Sequence, residues 1–245
     1  GVVGPVRTGK STFIKRFMEQ LVLPAIGPAA ARERARDELP QSAAGRTIMT
    51  TEPKFIPETA VPLQLEGGGE CRVRLIDCVG YMVPGAMGQF EELSPRMVMT
   101  PWYDHEIPMT EAAELGTRKV IADHSTVGIV VTTDGTITDI PREDYLEAEE
   151  RAIRELQAIG KPFVVLVNSA QPARAQVHLP QLNALDHVAL LQLPSHSIHL
   201  PHMGQAPSLP GNQLHHGFFD GMLLRQNLHP GWEKHIQLLQ GKLVQ

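Results

Sequence analysis

Gly4-Pro5-Val6-Arg7-Thr8-Gly9-Lys10-Ser11 fits the phosphate-loop pattern G-x-x-x-x-G-K-[ST] without a gap, and the rest of the chain is read outward from it. Each residue type answers a chemical need. Glycines let the backbone curl so that successive N–H groups face a polyphosphate, and the helix that follows turns its positive end to the same anion. Gly4 through Thr12 would form the phosphate cradle, with Lys10 bridging the β- and γ-phosphates and Ser11 giving its hydroxyl to Mg²⁺. The flanks agree. Val2-Val3 reads as the end of a strand, and Thr12-Phe13-Ile14-Lys15-Arg16-Phe17-Met18 has the apolar spacing of a helix packed on a sheet. Strand, loop and helix in this order predict an α/β, three-layer phosphate-loop NTPase fold.

A second acidic element supports this. Ala60-Val61-Pro62-Leu63-Gln64-Leu65, a Gly-rich turn, and Cys71-Arg72-Val73-Arg74-Leu75-Ile76-Asp77 read as a hairpin, which adds one antiparallel strand to a mostly parallel sheet. The second strand ends in Asp77-Cys78-Val79-Gly80, a D-x-x-G at the edge where open α/β sheets bind ligands. Asp77 is expected to orient Mg²⁺ through water. Gly80 would lend its N–H to the γ-phosphate, because only a residue without a side chain lets the main chain come so close. Residues 46–55, rich in hydroxyls, are expected to form a switch loop in which Thr50 or Thr51 closes over the metal.

The first helix should end near Leu23-Pro24, and a polar helix should occupy residues 29–39. Residues 81–125, with several methionines, Trp102 and Tyr103, suggest an elaborated second switch. Residues 126–134, 141–159 and 162–168 read as strand, amphipathic helix and strand, with Gly160 as a C-terminal cap. That last strand leads into Asn168-Ser169-Ala170-Gln171. GTPases of such a fold carry N-K-x-D there. This chain keeps Asn168 as a base-site residue but lacks the carboxylate that pairs with guanine, so ATP should be accepted at least as well as GTP. Arg7 would set a positive charge near the phosphates, in the place where some related GTPases use an asparagine-bound potassium ion.

Composition narrows the function. The 245 residues carry 42% hydrophobic side chains and a net charge of −5, enough for a full core and without the basic bias of a nucleic-acid binder. No apolar run approaches the ~20 residues of a membrane span. Cys71 and Cys78 would face opposite ways on one strand, which fits unpaired thiols and a reducing cytoplasm. The chain opens within its first strand and is expected to be a fragment. Residues 1–171 are read as the NTPase domain. Residues 172–245 hold only seven Lys, Arg, Asp or Glu but nine of the 11 histidines, and read as a disordered or out-of-frame tail. The histidine spacing does not repeat, so metal binding is not expected there.

Four further stretches carry a resemblance: Ile48-Met49-Thr50-Thr51-Glu52-Pro53-Lys54-Phe55-Ile56-Pro57, Arg74-Leu75-Ile76-Asp77-Cys78-Val79-Gly80-Tyr81, Thr117-Arg118-Lys119-Val120-Ile121-Ala122-Asp123-His124-Ser125-Thr126 and Thr132-Thr133-Asp134-Gly135-Thr136-Ile137-Thr138-Asp139-Ile140-Pro141-Arg142-Glu143. With the phosphate loop, they make residues 1–171 resemble the stage IV sporulation protein A family. The resemblance implies a translation-factor-class (TRAFAC) NTPase fold that has turned to ATP, hydrolysing it with Mg²⁺ to drive self-assembly of a spore-coat layer. It also implies residence in the mother-cell cytoplasm, peripheral to the outer forespore membrane, with a small amphipathic membrane peptide and other coat proteins as partners. Lys10, Asp77 and the pair Thr50 and Thr51 match the family's phosphate, magnesium and sensor positions. The alternative function is a nucleotide-gated binding module, or a GTPase of the same fold, with negligible hydrolysis, since no water-orienting glutamine stands out.

Overall fold

Two adjacent valines form the centre of the sheet: β1 (Val2–Val3) pairs in parallel with β3 (Glu70–Asp77) on one side and β8 (Gly128–Thr133) on the other. The computed structural model describes residues 1–40, 52–64, 69–86, 90–91, 94–171, 188–191 and 223–224. Neighbouring residues of a strand point to opposite faces. Val2 therefore joins Leu75, Val131 and Leu166 against Phe13, Ile14 and Phe17 of α1 (Lys10–Phe17). Val3 joins Ile76, Val130, Val165 and Val167 against Ala148, Ala152 and Leu156 of α5 (Leu146–Ala158). Helices thus cover both faces of a mixed sheet, as expected.

After α1 a wider five-residue turn (Met18–Val22) leads into α2 (Leu23–Ala25). The helical path passes Pro24 rather than stopping there: the proline lies in the first turn of α2, where its missing N–H costs little, and the break comes at Ile26-Gly27-Pro28. α3 (Ala29–Asp37) follows, as expected. Thr50 and Thr51 lie outside the described residues. β2 (Lys54–Gln64) pairs antiparallel with β3 and starts well before Ala60, so Lys54 and Phe55 belong to a strand instead of the expected switch loop. Its register shifts between Ile56 and Val61, around Pro57, and this interruption made the strand look shorter in sequence.

Beyond β3 come two small hairpins, β4 (Phe90–Glu91) with β5 (Ser94–Pro95) and β6 (Met97–Val98) with β7 (Ile107–Pro108). The hairpins run into α4 (Met109–Lys119), which ends in a second widened turn (Val120–His124). Met109 is buried while Met97 and Met99 are exposed. After β8 and α5, the backbone N–H groups of Gly160 and Lys161 close the helix on Gln157 and Leu156, confirming Gly160 as its cap. β9 (Phe163–Asn168) then pairs in parallel with β8.

The central strand order is β9-β8-β1-β3-β2. The chain after residue 171 adds to it, against expectation: β10 (Val188–Leu191) pairs in parallel with β9, and β11 (Leu223–Leu224) antiparallel with β10. A short apolar run, Val-Ala-Leu-Leu, suffices for an added parallel strand, and periodicity cannot single it out. The other expectations for the tail lie outside the described residues. No disulfide joins Cys71 to Cys78, and the Cys78 thiol donates to the Val2 carbonyl at 3.4 Å. Among the described residues no helix is long and apolar enough to cross a membrane.

One buried ion pair braces the ligand edge of the sheet. Arg142 makes two 2.7 Å hydrogen bonds to Glu149, whose side chain is 1% exposed and also accepts from the Thr132 hydroxyl. Replacing Glu149 by alanine leaves the Arg142 guanidinium without its carboxylate and is expected to cost about 3–5 kcal/mol of unfolding free energy in a denaturant titration. A loss below about 1 kcal/mol, the range of an exposed pair, would contradict this bracing role.

Candidate nucleotide site

The loop between β1 and α1 has the backbone that its glycines suggest. Gly4 and Gly9 have φ of +115° and +95°, and a Cβ on Gly4 would stand 2.5 Å from the Val131 carbonyl oxygen. Arg7, also at positive φ (62°), is the one non-glycine residue to share that conformation among the described residues. No side chain caps α1 and no acidic residue occupies its first turn, so its leading N–H groups and positive end stay available to an anion. Thr12 lies half-buried in that first turn.

The Pro5 carbonyl accepts from the Thr8 hydroxyl at 3.0 Å and from Lys10 Nζ at 2.5 Å; Nζ also reaches the Gly4 carbonyl at 3.5 Å. Lys10 is buried, which pushes its pKa down, against the opposing influence of Cys78 and Asp77. Across the site, Ser11 Oγ donates to Asp77 Oδ2 at 2.7 Å. Asp77 Oδ1 is shielded from water with no hydrogen-bond partner among the described residues. Burial pushes the Asp77 carboxyl up, while the Ser11 hydroxyl and the Lys10 charge pull it down. A hydroxyl bonded to a carboxylate whose second oxygen lacks a partner is a set of hard oxygen donors, so it fits Mg²⁺. No cluster of three or more His, Cys, Asp or Glu able to hold a metal occurs among the described residues.

The other expected residues fall around this centre. Asn168 Nδ2 donates to the Thr8 carbonyl at 3.1 Å, tying the end of β9 to the phosphate loop. Val6 is buried and its N–H bonds the Tyr81 carbonyl at 2.9 Å, while the Tyr81 N–H bonds the Gly4 carbonyl at 3.1 Å. Gly80, at φ +93°, is pressed so close that a Cβ would stand 2.2 Å from the Gly4 oxygen. Its N–H is donated to Thr117 Oγ1 at 3.2 Å, not toward the loop. Arg7 lies on the side of Tyr145, where its charge opposes the upward push that burial gives the phenol.

Sequence reasoning missed Tyr81 and Thr117. The Tyr81 hydroxyl hydrogen-bonds Glu155 on α5, and the Arg151 guanidinium lies 4.5 Å over its ring. Arg151 also bonds Glu114 on α4 at 2.8 Å, so three elements meet behind the phosphate loop. Small residues at helical spacing, Ala112, Ala113, Gly116 and Thr117, were the signal for a buried face on α4.

Because burial raises the Asp77 pKa, the carboxyl favours the fold only while protonated. That advantage is full below its unfolded pKa and is lost as pH rises through the folded one. Above the folded pKa the ionised Asp77 therefore burdens the fold. Asp77→Asn keeps an acceptor for Ser11 and does not titrate, so the Tm difference between variant and parent is expected to move in the variant's favour as pH rises. A difference that moves the other way would contradict the burial argument.

The family model described as "Stage IV sporulation protein A, ATPase domain" matches residues 1–193. Over 172 residues the chain is 63% identical to stage IV sporulation protein A of Bacillus anthracis and, equally, to that of Bacillus subtilis (strain 168). The Clostridioides difficile (strain 630) protein of the same name is 54% identical over the same length. Each alignment covers 70% of this chain and 35% of the relative, so the chain spans about a third of the length of the relatives it matches. The family match includes the phosphate loop, the Asp77 segment, α4, the edge loop after β8, and β10, whose inclusion carries the match past residue 171. The chain belongs to the stage IV sporulation protein A family, through its ATPase domain.

Proposed function

We propose that this domain binds ATP with Mg²⁺ and hydrolyses the β–γ anhydride, as a translation-factor-class phosphate-loop NTPase that has turned to ATP. The observation that carries the proposal is the constellation of Ser11 on Asp77 at 2.7 Å, with the orphaned Oδ1 beside them and Lys10 Nζ resting on loop carbonyls. Lys10 exchanges its carbonyl partners for phosphate oxygens, and the N–H groups at the start of α1 take the remaining charge. Ser11 and Asp77 would hold Mg²⁺, with Thr50 or Thr51 as the expected further ligand. Bound there, Mg²⁺ would supply positive charge to offset the negative charge of the transferring phosphoryl group.

That ATP is accepted at least as well as GTP rests on what replaces the guanine-reading carboxylate. Ser169 Oγ donates to Asp134 Oδ2 at 2.6 Å, and the Asp134 carboxylate also holds the Thr136 hydroxyl at 2.6 Å, so both groups are spent on the loop. Gln171, where the aspartate would stand, is exposed and carries no charge. In the whole protein, hydrolysis would drive self-assembly into a coat layer at the outer forespore membrane, in the mother-cell cytoplasm, with a small amphipathic membrane peptide and other coat proteins as partners. A second reading, a nucleotide-gated module without turnover, draws on Tyr81: it follows Gly80, where small GTPases place their water-orienting glutamine, yet its hydroxyl turns to Glu155.

Single-turnover phosphate release with Mg²⁺ and ATP separates the two readings, a burst supporting hydrolysis and none supporting the module. Lys10→Ala is expected to abolish tight binding, because it removes a direct phosphate contact. Asp77→Ala should retain binding and lose Mg²⁺-dependent release. Full activity in either variant would remove the assigned site. In competition against labelled ATP, unlabelled ATP should displace at least as well as GTP; displacement by GTP at a hundredfold lower concentration would overturn the base assignment.

A further inference from the structure

Gly80 stands between two claims on its backbone. Its Cα side lies against the phosphate loop, so close that a Cβ would be 2.2 Å from the Gly4 oxygen and 2.5 Å from Lys10 Nζ. Its N–H points the other way, to Thr117 Oγ1 at 3.2 Å. Thr117 is fully buried in α4, and its own hydroxyl proton is committed to the Ala113 carbonyl at 2.7 Å, which leaves the oxygen as an acceptor. The next residue, Tyr81, is fastened to Gly4 and Val6 through its backbone and to Glu155 through its hydroxyl. The segment after Asp77 is therefore held by the phosphate loop on one side and by α4 and α5 on the other.

We propose that Thr117 is a positioning residue for the triphosphate: its hydroxyl holds the Gly80 N–H away from the phosphate loop in the resting chain, and on binding the Val79–Gly80 peptide turns so that a γ-phosphate oxygen takes that N–H from Thr117. The proposal rests on the reading of this site as one for Mg²⁺ and ATP. An N–H serves one acceptor well at a time, and a charged phosphate oxygen is a stronger acceptor than a neutral hydroxyl. The exchange is therefore favourable for a triphosphate. A diphosphate has no oxygen at that place and leaves the Thr117 bond intact. The hydroxyl thus sets part of the difference between the triphosphate and diphosphate affinities. When it loses Gly80, the contact between α4 and the segment after Asp77 loosens, and this passes the presence of the γ-phosphate to the helical face.

The test uses the full chain and two probes, ATPγS with Mg²⁺ and ADP with Mg²⁺, with binding followed by calorimetry. Thr117→Val keeps the shape and removes the hydroxyl acceptor, leaving beside the Gly80 N–H the Cys78 sulfur, a weak acceptor. It is expected to tighten ATPγS binding by about fivefold, the fold-change that one neutral hydrogen bond supports, and to leave ADP binding unchanged. Thr117→Ser restores the hydroxyl and should bind both probes as the parent does. Equal shifts for the two probes, no shift, or weaker ATPγS binding in Thr117→Val would overturn the proposal. If that variant does not fold, amide exchange at Gly80 in the parent chain decides: it should change with ATPγS and not with ADP, and an identical response to both would overturn the latch. Failure of the parent to bind either probe would remove the nucleotide reading and the latch together. If both probes bind and Thr117→Val matches the parent, the latch alone fails.

Discussion

The parallel pairing of β1 with β3 puts Val2 level with Asp77, and the whole site depends on that register. It brings the carboxyl ends of two strands, distant in sequence, to one edge, so that the loop leaving β1 and the segment leaving β3 run side by side. Ser11 can then reach Asp77, and Tyr81 can exchange two backbone hydrogen bonds with Gly4 and Val6. A slip of one residue would turn Val2 and Val3 to the wrong faces of the sheet and move Asp77 out of reach of Ser11. Core packing and site geometry are fixed by the same pairing.

The site holds its charges at a cost. Lys10 and Asp77 both have pKa values pushed toward their neutral forms by burial, and each finds only partial relief, Lys10 on loop carbonyls, Asp77 on the Ser11 hydroxyl, and each from the charge of the other. Such groups gain most when a ligand supplies the missing partner charge, because the desolvation has already been met by folding. The bracing Arg142–Glu149 pair, in contrast, meets charge with charge inside the fold through two hydrogen bonds between the partners, with Arg142 Nε left without a hydrogen-bond partner among the described residues.

Much of this was legible in the sequence, for reasons that separate local from long-range information. The phosphate loop could be read because its spacing encodes one local backbone path, and the structure returns the positive φ at Gly4 and Gly9. Gly160 as a cap and the strand, helix and strand around α5 followed from periodicity and end signals. Asp77 and Gly80 could be singled out as candidates because the D-x-x-G spacing is also local, yet the direction of the Gly80 N–H depends on α4, whose Thr117 is 37 positions away. Pro57 hid the first half of β2, and Pro24 suggested a helix end that the widened turn before it moves to Ile26. The four apolar residues of β10 carried no pattern of their own; their place is set by the exposed edge of β9.

The most direct measurement is a backbone-amide NMR titration of the full chain with Mg²⁺ and ATPγS. The expected result is a saturable set of shifts centred on Gly9, Lys10, Ser11 and Asp77, dependent on Mg²⁺ and extending to Asn168 through its bond to the Thr8 carbonyl. Shifts that avoid the phosphate loop, or that are the same without Mg²⁺, would contradict the assignment of Ser11 and Asp77 as the centre of the nucleotide site.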